Sequence, residues 1–466
     1  MYKLSPELKV LERNQGYFTK AKGIVLLGAV EATHLADFLT LLEPTQKLAV
    51  YTNQEYTFKQ MHELATKRGY KSITNLWPES QTCPLFTQAE LDVKEIALAY
   101  AYPLEITAPY LQAQGYAQET SVQALTHKLT ELPIINGKER FIFSHQEQGA
   151  LARLIQLSQA DTFVMFWPKS KEEFLVLIQA LAQALTHLQL NLNQLNFFFL
   201  GSNDSGIKTI ESLLTGSTQV IDNAGRWRLY TYQGDLTASN KLSAKVKAHK
   251  VELTSGNIYN LPGVFSSDKL DKGTELLLTT YQDLNAAHNQ HLLSLIRTYN
   301  KKLNQATNPQ INFLDYGAGA GVITQFFMHL MQQQITNSEV QMRWDLIDVS
   351  AAALLCSNLN LSTHLNAQTQ LNLVASASIN QALEQGLPEV YYREIVTNPP
   401  FHQGKEQTFA ITETLIKQAK ARLHQDGALR LVANSGLPYL PMLEQHFKHV
   451  QIIAKANGFT VYLAKH

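Results

Sequence analysis

The second half of the chain alternates short apolar runs with longer segments in which apolar residues recur at helical spacing. Each apolar run ends at a polar residue, a glycine or a proline, as buried parallel strands do before a crossover helix. Helices are predicted at residues 322–331 and 408–424, the second closing at Gly427. Strands are predicted at residues 311–314, 342–347, 371–375, the run ending at 397, 428–433, 450–454 and 460–463. Because Asn457-Gly458 is a hairpin signal, we expect a mostly parallel sheet that ends on an antiparallel hairpin.

The first half repeats this alternation, which indicates parallel strands joined by crossover helices. Strands are predicted at residues 23–28, 163–166 and 196–200, and helices at 33–42, 172–188 and 207–214. The stretch from 240 to 250 has four lysines and few large apolar residues, so we place the domain linker there. We therefore predict two Rossmann-like α/β domains in tandem, residues 1–245 and 246–466.

Composition and charge exclude several classes of protein. The chain has 466 residues, 45% of them hydrophobic, and its 39 basic side chains equal its 39 acidic ones. No global field attracts nucleic acid, so a polyanionic partner has to be met by a local patch. Two cysteines cannot form a disulfide framework, and no Cys/His spacing is typical of a metal site. Because we find neither a signal peptide nor a membrane-spanning segment, we expect a cytoplasmic protein without membrane contact.

A glycine-rich turn follows the first strand of the second half. The sequence Asp-Tyr-Gly-Ala-Gly-Ala-Gly occupies residues 315–321, so the glycines are Gly317, Gly319 and Gly321. Glycines at alternate positions let the backbone pass beneath a ligand, whereas a dinucleotide site has a wider spacing. Asp315 repels phosphate but suits an ammonium group, and S-adenosylmethionine has a methionyl ammonium and no phosphate. The turn therefore predicts an S-adenosylmethionine site, and the alternative is a purely structural turn.

Two further positions fit the same cofactor. Asp348 ends the second strand, 27 residues past Gly321, roughly where a βαβ unit places an acid against ribose hydroxyls. Asp348 could otherwise be a polar strand terminus. The third strand runs into Ser376, where adenine is expected, and we assign the adenine contact to the backbone or to Ser376.

The sequence Asn398-Pro399-Pro400-Phe401 stops the fourth strand, because proline cannot donate to a sheet. The Asn398 side-chain oxygen and the Pro399 carbonyl can accept both hydrogens of a planar amine, and Phe401 can stack on the ring that carries it. Ligands bind beyond the carboxyl ends of parallel strands, where the first and fourth strands are neighbours. We therefore predict that this corner is catalytic and faces the glycine turn. The alternative is a proline-stopped strand with Phe401 in the core.

These motifs together resemble one family. The chain from about Leu261 is similar to the class I methyltransferase domain of the bacterial RsmC-type 16S rRNA guanine-N2 methyltransferases. The matching stretches are Leu-Pro-Gly-Val-Phe-Ser at 261–266, the glycine turn, Asp-Val-Ser at 348–350, Asn-Pro-Pro-Phe-His at 398–402 and Leu-Val-Ala-Asn at 431–434.

The resemblance implies methylation of one guanine of 16S rRNA in the small ribosomal subunit, by a monomer that uses S-adenosylmethionine and no metal. It further implies a seven-stranded class I methyltransferase sheet in the C-terminal domain. The N-terminal domain would be a degenerate methyltransferase-like domain that binds RNA, with extra length.

Three alternatives stay open at this point. A large-subunit rRNA guanine-N2 methyltransferase shares the Asn-Pro-Pro-Phe corner. A protein-glutamine or DNA-adenine N-methyltransferase also modifies a planar amide or amine, although those families favour tyrosine where this chain has Phe401. A non-catalytic RNA-binding assembly factor would not need the glycine turn, Asp348 and Asn398. The Leu-Pro-Gly-Val-Phe-Ser stretch favours the small-subunit assignment.

Overall fold

The computed structural model describes residues 7–74, 90–102, 134–135, 142–143, 149–168, 170–237, 247–250, 257–265, 269–301, 310–399 and 405–466. These residues form two compact units. The first lies within Met1–Glu131 and Lys138–Val246, and the second within Leu132–Gly137 and Lys247–His466. None of the helices in the described ranges is both long and apolar enough to cross a membrane.

The described strands are β1 (Gly23–Gly28), β2 (Lys47–Thr52), β3 (Lys71–Ile73), β4 (Glu95–Tyr102), β5 (Ile134–Ile135), β6 (Ile142–Phe143), β7 (Thr162–Phe166), β8 (Asn196–Ser202), β9 (Ser217–Ala224), β10 (Trp227–Gln233), β11 (Lys247–Lys250), β12 (Asn257–Asn260), β13 (Gln310–Tyr316), β14 (Gln341–Asp348), β15 (Thr369–Ala375), β16 (Tyr392–Thr397), β17 (Leu423–Asn434), β18 (His449–Ala456) and β19 (Phe459–Lys465).

The described α-helices are α1 (Leu8–Arg13), α2 (Gln15–Phe18), α3 (Ala32–Leu41), α4 (Glu55–Lys67), α5 (Gly149–Ser158), α6 (Lys171–His187), α7 (Ile210–Leu213), α8 (Lys272–Thr279), α9 (Gln290–Lys301), α10 (Val322–Gln334), α11 (Ala351–Leu361), α12 (Ile379–Glu384), α13 (Lys405–Arg422) and α14 (Tyr439–Glu444). Short 3₁₀ helices lie at Leu192–Gln194, Ile207–Thr209, Ala287–Asn289 and Ser362–His364.

The first unit contains a sheet in the order β3-β4-β2-β1-β7-β8-β10-β9, with β6 paired to β4. Strands β3, β4, β2, β1, β7 and β8 run parallel, and β10 is antiparallel to both of its neighbours. The strand order reverses next to β1, as in doubly wound nucleotide-binding folds. The first unit therefore has the topology of a methyltransferase domain, as the sequence predicts.

The second unit contains an eight-stranded sheet in the order β18-β19-β17-β16-β13-β14-β15-β5. The strands from β17 to β5 run parallel, and the hairpin of β18 and β19 is antiparallel. Seven of these strands are those of the predicted sheet, so the predicted fold class is confirmed. The eighth, β5, comes from the first half of the sequence and pairs with Leu373 and Val374 at the sheet edge. A separate pair, β11 and β12, begins the second unit.

Two predicted helices differ in the structure. Residues 207–214 form a 3₁₀ helix and a single α-helical turn, because the Thr209 hydroxyl donates to the Gly206 carbonyl at 2.8 Å and tightens the start. The predicted helix end at Gly427 is also wrong, since β17 already begins at Leu423 and Gly427 lies inside it. A Cβ at Gly427 would lie 2.7 Å from the Tyr392 carbonyl oxygen, so this glycine permits close strand pairing.

Candidate active site

Strand pairing brings the glycine turn and the Asn398 corner together. Tyr316, the last residue of β13, pairs with Thr397, the last residue of β16. The Thr397 hydroxyl donates to the Tyr316 carbonyl at 2.8 Å, which fixes the two strand ends side by side. A Cβ built on Gly317 would lie 3.8 Å from the Asn398 carbonyl oxygen. The two sequence motifs are therefore neighbours at the carboxyl edge of the sheet.

The glycine turn adopts a backbone conformation that other residues rarely take. Gly317, Gly319 and Gly321 have φ values of 72°, 56° and 74°, all in the left-handed region. A Cβ at Gly321 would also lie 3.1 Å from the Ser357 Cα, so the turn packs closely against α11. The alternate glycines of the sequence are thus required by the shape of the turn.

Two polar residues of α11, which the sequence analysis missed, anchor this turn. The Ser357 hydroxyl donates to the Gly319 carbonyl at 2.9 Å, and Asn360 Nδ2 donates to the Ala320 carbonyl at 2.8 Å. Asn360 also exchanges two hydrogen bonds with the Tyr259 backbone, at 2.7 and 2.9 Å. Both side chains are buried in a helix that is otherwise mostly apolar. Polar residues at such positions are the sequence signal that could have indicated a buried hydrogen-bonding role.

Asp315 lies below the turn and is 2% exposed. The Thr324 hydroxyl donates to its Oδ2 at 2.7 Å, whereas Oδ1 is buried and receives no hydrogen bond from any residue that the structure describes. Burial raises the pKa of Asp315 to about 7, with a smaller lowering by Thr324 and a smaller raising by Asp348. A buried carboxylate oxygen without a donor is costly, so Asp315 fits the binding of a cationic group.

Asp348 is tied to the glycine turn. Its Oδ2 accepts from the Gly319 N–H at 2.9 Å, and its Oδ1 accepts from the Ser350 N–H at 2.9 Å. Burial raises the pKa of Asp348, and these backbone donors oppose the shift. A carboxylate oxygen has the capacity to accept two hydrogen bonds, so Asp348 can shape the turn and still receive a hydroxyl.

Ser376 lies just past the end of β15, and its hydroxyl is engaged in its own turn. Its Oγ donates to the Ser378 carbonyl at 2.8 Å and accepts from the Ser378 N–H at 3.2 Å. The Tyr316 hydroxyl donates to the neighbouring Ala377 carbonyl at 2.6 Å, which joins this turn to β13. The Ser376 N–H also donates to the Asp348 carbonyl at 3.0 Å, so the turn stands beside the glycine motif and the end of β14.

The Asn398 side chain is held in one orientation. Its Nδ2 donates to Asp271 Oδ2 and to Thr274 Oγ1, both at 3.0 Å. Its Oδ1 is buried and receives no hydrogen bond within the described part of the chain. The amide therefore presents an acceptor, as the sequence predicts for gripping an amine. Pro399 follows and is buried, whereas Phe401, the predicted stacking residue, lies outside the described residues.

Side chains occupy most of the corresponding edge of the first unit and leave a small cavity beside Gly28. Gly28 at the end of β1 pairs with Phe166 at the end of β7, and the His34 ring of α3 stacks on Phe166 with centroids 3.9 Å apart. Both rings are almost fully buried. Trp167 follows β7, where Asn398 follows β16 in the second unit. Within the described residues, this edge has neither a glycine turn nor an amide corner, which matches a degenerate domain.

Within the ranges that the structure describes, no three His, Cys, Asp or Glu side chains are grouped so that they could hold a metal ion.

Comparisons with known proteins agree with this arrangement. Residues 297–463 match the family described as methyltransferase small domain, and residues 107–248 match its N-terminal counterpart. The chain is 32% identical over 318 residues to ribosomal RNA small subunit methyltransferase C of Yersinia pseudotuberculosis serotype IB (strain PB1/+), covering 68% of this chain and 78% of the relative. The Yersinia pestis (strain Pestoides F) protein gives the same values.

A solved structure shares the fold across both units. It is the T. thermophilus 16S rRNA N2 G1207 methyltransferase (RsmC) in complex with AdoMet and guanosine. The TM-score is 0.54 at 17% identity, covering 95% of this chain and 88% of that chain.

Fold and site together define a methyltransferase of class I, preceded by a second domain of the same topology. The chain belongs to the ribosomal RNA small subunit methyltransferase C family. The family resemblance seen in the sequence motifs is confirmed, and with it the enzyme class.

Proposed function

We propose that the protein transfers a methyl group from S-adenosylmethionine to the exocyclic N2 amine of a guanine in 16S rRNA. The observation that carries this proposal is the Asn398 side-chain amide, whose oxygen is buried and unpartnered among the described residues. The backbone carbonyl of the same residue lies beside the glycine turn. The T. thermophilus relative in complex with AdoMet and guanosine supports the same pairing of cofactor and base.

The cofactor site is formed by the glycine turn and the strand ends beside it. The free Oδ1 of Asp315 accepts the methionyl ammonium, because a buried carboxylate oxygen needs a donor. Gly317, Gly319 and Gly321 let the backbone approach the ligand. Asp348 receives the ribose hydroxyls, and the backbone at Ser376 meets the adenine. S-adenosylmethionine supplies an electrophilic methyl group on a positively charged sulfur.

The catalytic corner prepares the amine. The N2 lone pair of guanine is delocalised into the ring, so Asn398 Oδ1 and the Pro399 carbonyl accept the two amine hydrogens and direct the lone pair toward the methyl group. Phe401 stacks on the base. With S-adenosylmethionine bound, the amine nitrogen would take the methyl group as the C–S bond breaks toward sulfur, and one amine proton would leave to solvent. The chain mainly holds the reactants about 3 Å apart and in line. Because a paired base is out of reach, the target guanine has to be splayed out.

The protein acts on the small ribosomal subunit in the cytoplasm, and we propose that it does so as a monomer. Light scattering on the purified protein tests the monomer. The names of the Yersinia relatives support the substrate.

The decisive experiment replaces Asn398 by alanine and measures labelled methyl transfer into 30S particles, free 16S rRNA, 50S particles and a protein fraction. We expect wild-type protein to label only small-subunit RNA, at guanine N2. Asn398→Ala should lose at least about 100-fold in kcat, as when a donor that stabilises a transition state is removed, while calorimetry finds cofactor binding unchanged.

The exposed Asn285 provides a matched control, and Asn285→Ala should behave as wild type. Retained turnover in Asn398→Ala would contradict the proposed mechanism. Label in 50S particles or protein would contradict the proposed substrate.

A further inference from the structure

The helix α8 supports the catalytic corner from one side. Asp271 caps its first turn, since Asp271 Oδ2 accepts from the Thr274 N–H at 2.9 Å. The same oxygen accepts from Asn398 Nδ2, and the Thr274 hydroxyl accepts the other Nδ2 hydrogen. One turn of helix therefore provides both partners of the Asn398 NH₂ group. These partners precede Asn398 in the chain by 127 and 124 residues.

These partners decide which way the Asn398 amide points. A primary amide can rotate by half a turn and exchange its oxygen for its nitrogen with little change in shape. An ionised carboxylate only accepts hydrogen bonds, so the rotated amide would place its oxygen against Asp271 Oδ2 and lose that bond. The Thr274 hydroxyl can bond to either end of the amide, so it holds the group in place while Asp271 sets its direction. Rotation would also present N–H groups to an incoming amine, which has hydrogens of its own to donate. The helix turn thus keeps the acceptor directed at the substrate.

The segment just past the far end of α8 is fixed to β16, the strand that Asn398 follows. Tyr281 donates to Glu394 Oε1 at 2.9 Å, and Glu394 lies on β16, four residues before Asn398. Arg430 also donates to Glu394 Oε1, at 2.9 Å, and to the Thr280 hydroxyl, at 2.6 Å. Four strand residues span about 13 Å, and the helix from Asp271 to Thr280 rises by about the same length. This match lets the segment from Asp271 to Tyr281 reach both Asn398 and Glu394.

We propose that Asp271 and Thr274 are positioning residues that act through Asn398, locking its amide so that Oδ1 accepts from the exocyclic amine. This inference rests on the proposed function, because it assigns to that amide the role of acceptor. Neither residue touches the reacting atoms. Their effect is therefore on kcat and on the preference for a base that carries an amine, and it leaves cofactor affinity unchanged.

The test uses Thr274→Val, which keeps the branched shape and removes the hydroxyl, beside Thr274→Ser, which keeps the hydroxyl. Asp271→Ser is a second variant, since serine caps a helix as well as aspartate but is too short to reach Asn398. Methyl transfer into 30S particles gives kcat and KM. Calorimetry with guanosine and with inosine, which lacks the N2 amine, measures recognition without turnover, and thermal unfolding verifies the fold.

We expect kcat to fall about 10-fold in Thr274→Val and about 100-fold in Asp271→Ser, in the range found when supporting contacts misplace a reacting group. KM and cofactor affinity should be unchanged, and Thr274→Ser should stay within about twofold of wild type. Both impaired variants should prefer guanosine over inosine less than wild type does. In the Asn398→Ala background, where the amide is absent, Thr274→Val should change this preference no further.

The proposal is overturned if Thr274→Val and Asp271→Ser keep wild-type kcat and preference. It is equally overturned if Thr274→Ser loses as much as Thr274→Val, because the hydroxyl then has no role. An added loss of preference in the Asn398→Ala background would show that the residues act elsewhere. A failure of the proposed function is distinct from these outcomes, since wild-type protein itself would then not methylate guanine N2.

Discussion

Replacement of Asp315 by asparagine tests the cofactor site through its pH dependence. Burial raises the pKa of this carboxyl from 3.8 to about 7. If only the ionised form binds the methionyl ammonium, affinity follows the ionised fraction. That fraction is about 3% at pH 5.5 and about half at pH 7, so the association constant should rise roughly 15-fold across this range. The ammonium, an α-amino group with a pKa of about 8, stays mostly protonated throughout.

The assay is calorimetric titration of S-adenosylmethionine at several pH values between about 5.5 and 7. Wild-type protein should show the rise, together with release of a proton on binding at the acid end. Asp315→Asn keeps an acceptor for the Thr324 hydroxyl but cannot ionise, so its affinity should be low and independent of pH. Asp204, which is exposed, provides the matched control, and Asp204→Asn should follow wild type.

The same carboxyl should affect the stability of the protein without cofactor. The pKa of Asp315 is higher in the folded protein than in the unfolded chain. Its stabilising contribution to the free energy of unfolding is therefore fully present below about pH 4 and is lost as the pH rises through about 7. The shift of about 3 pKa units corresponds to at most about 4 kcal/mol of unfolding free energy. Asp315→Asn should remove this part of the pH dependence in denaturant titrations.

Flat cofactor affinity in wild-type protein across this pH range would refute the assignment of Asp315. The same slope in Asp315→Asn and in wild type would do so as well.

Two further substitutions test the shape of the site and its support. Gly321→Ala should cost about 1–2 kcal/mol, because φ is 74° and the new Cβ meets Ser357, and cofactor affinity should fall with it. Gly16 lies in α2, and a Cβ built there would have nothing within 4 Å, so Gly16→Ala should leave the free energy of unfolding unchanged or raise it. Equal losses of unfolding free energy in the two variants, measured by denaturant titration, would contradict this reasoning. Glu394→Gln leaves the fully buried Arg430 without its counter-charge and should cost about 3–5 kcal/mol of unfolding free energy, and a change below about 1 kcal/mol would mean that the pair is dispensable.

The sequence by itself determined the local features of this protein. Strand ends, the glycine turn and the proline-stopped corner depend on near neighbours in the chain, so apolar periodicity and residue type were enough to predict them. Parallel strands place their carboxyl ends at one edge of a sheet, and this rule alone predicts that Asp315 and Asn398 lie close together. Helix and strand boundaries near Gly206 and Gly427 were missed, because strand pairing and a side-chain hydrogen bond override local preference there.

Only the tertiary structure decided what surrounds these motifs. From the sequence, Asp271 and Thr274 belong to an ordinary helix start. They reach Asn398 only because α8 packs against β17 and β19, beside the end of β16. Asn360 is one of three polar residues in a mostly apolar helix, and it supports the glycine turn only because α11 packs against that turn. The strand β5 belongs to the first half of the sequence but pairs with β15 of the second unit. Such contacts depend on how elements pack, which side-chain periodicity within one element does not encode.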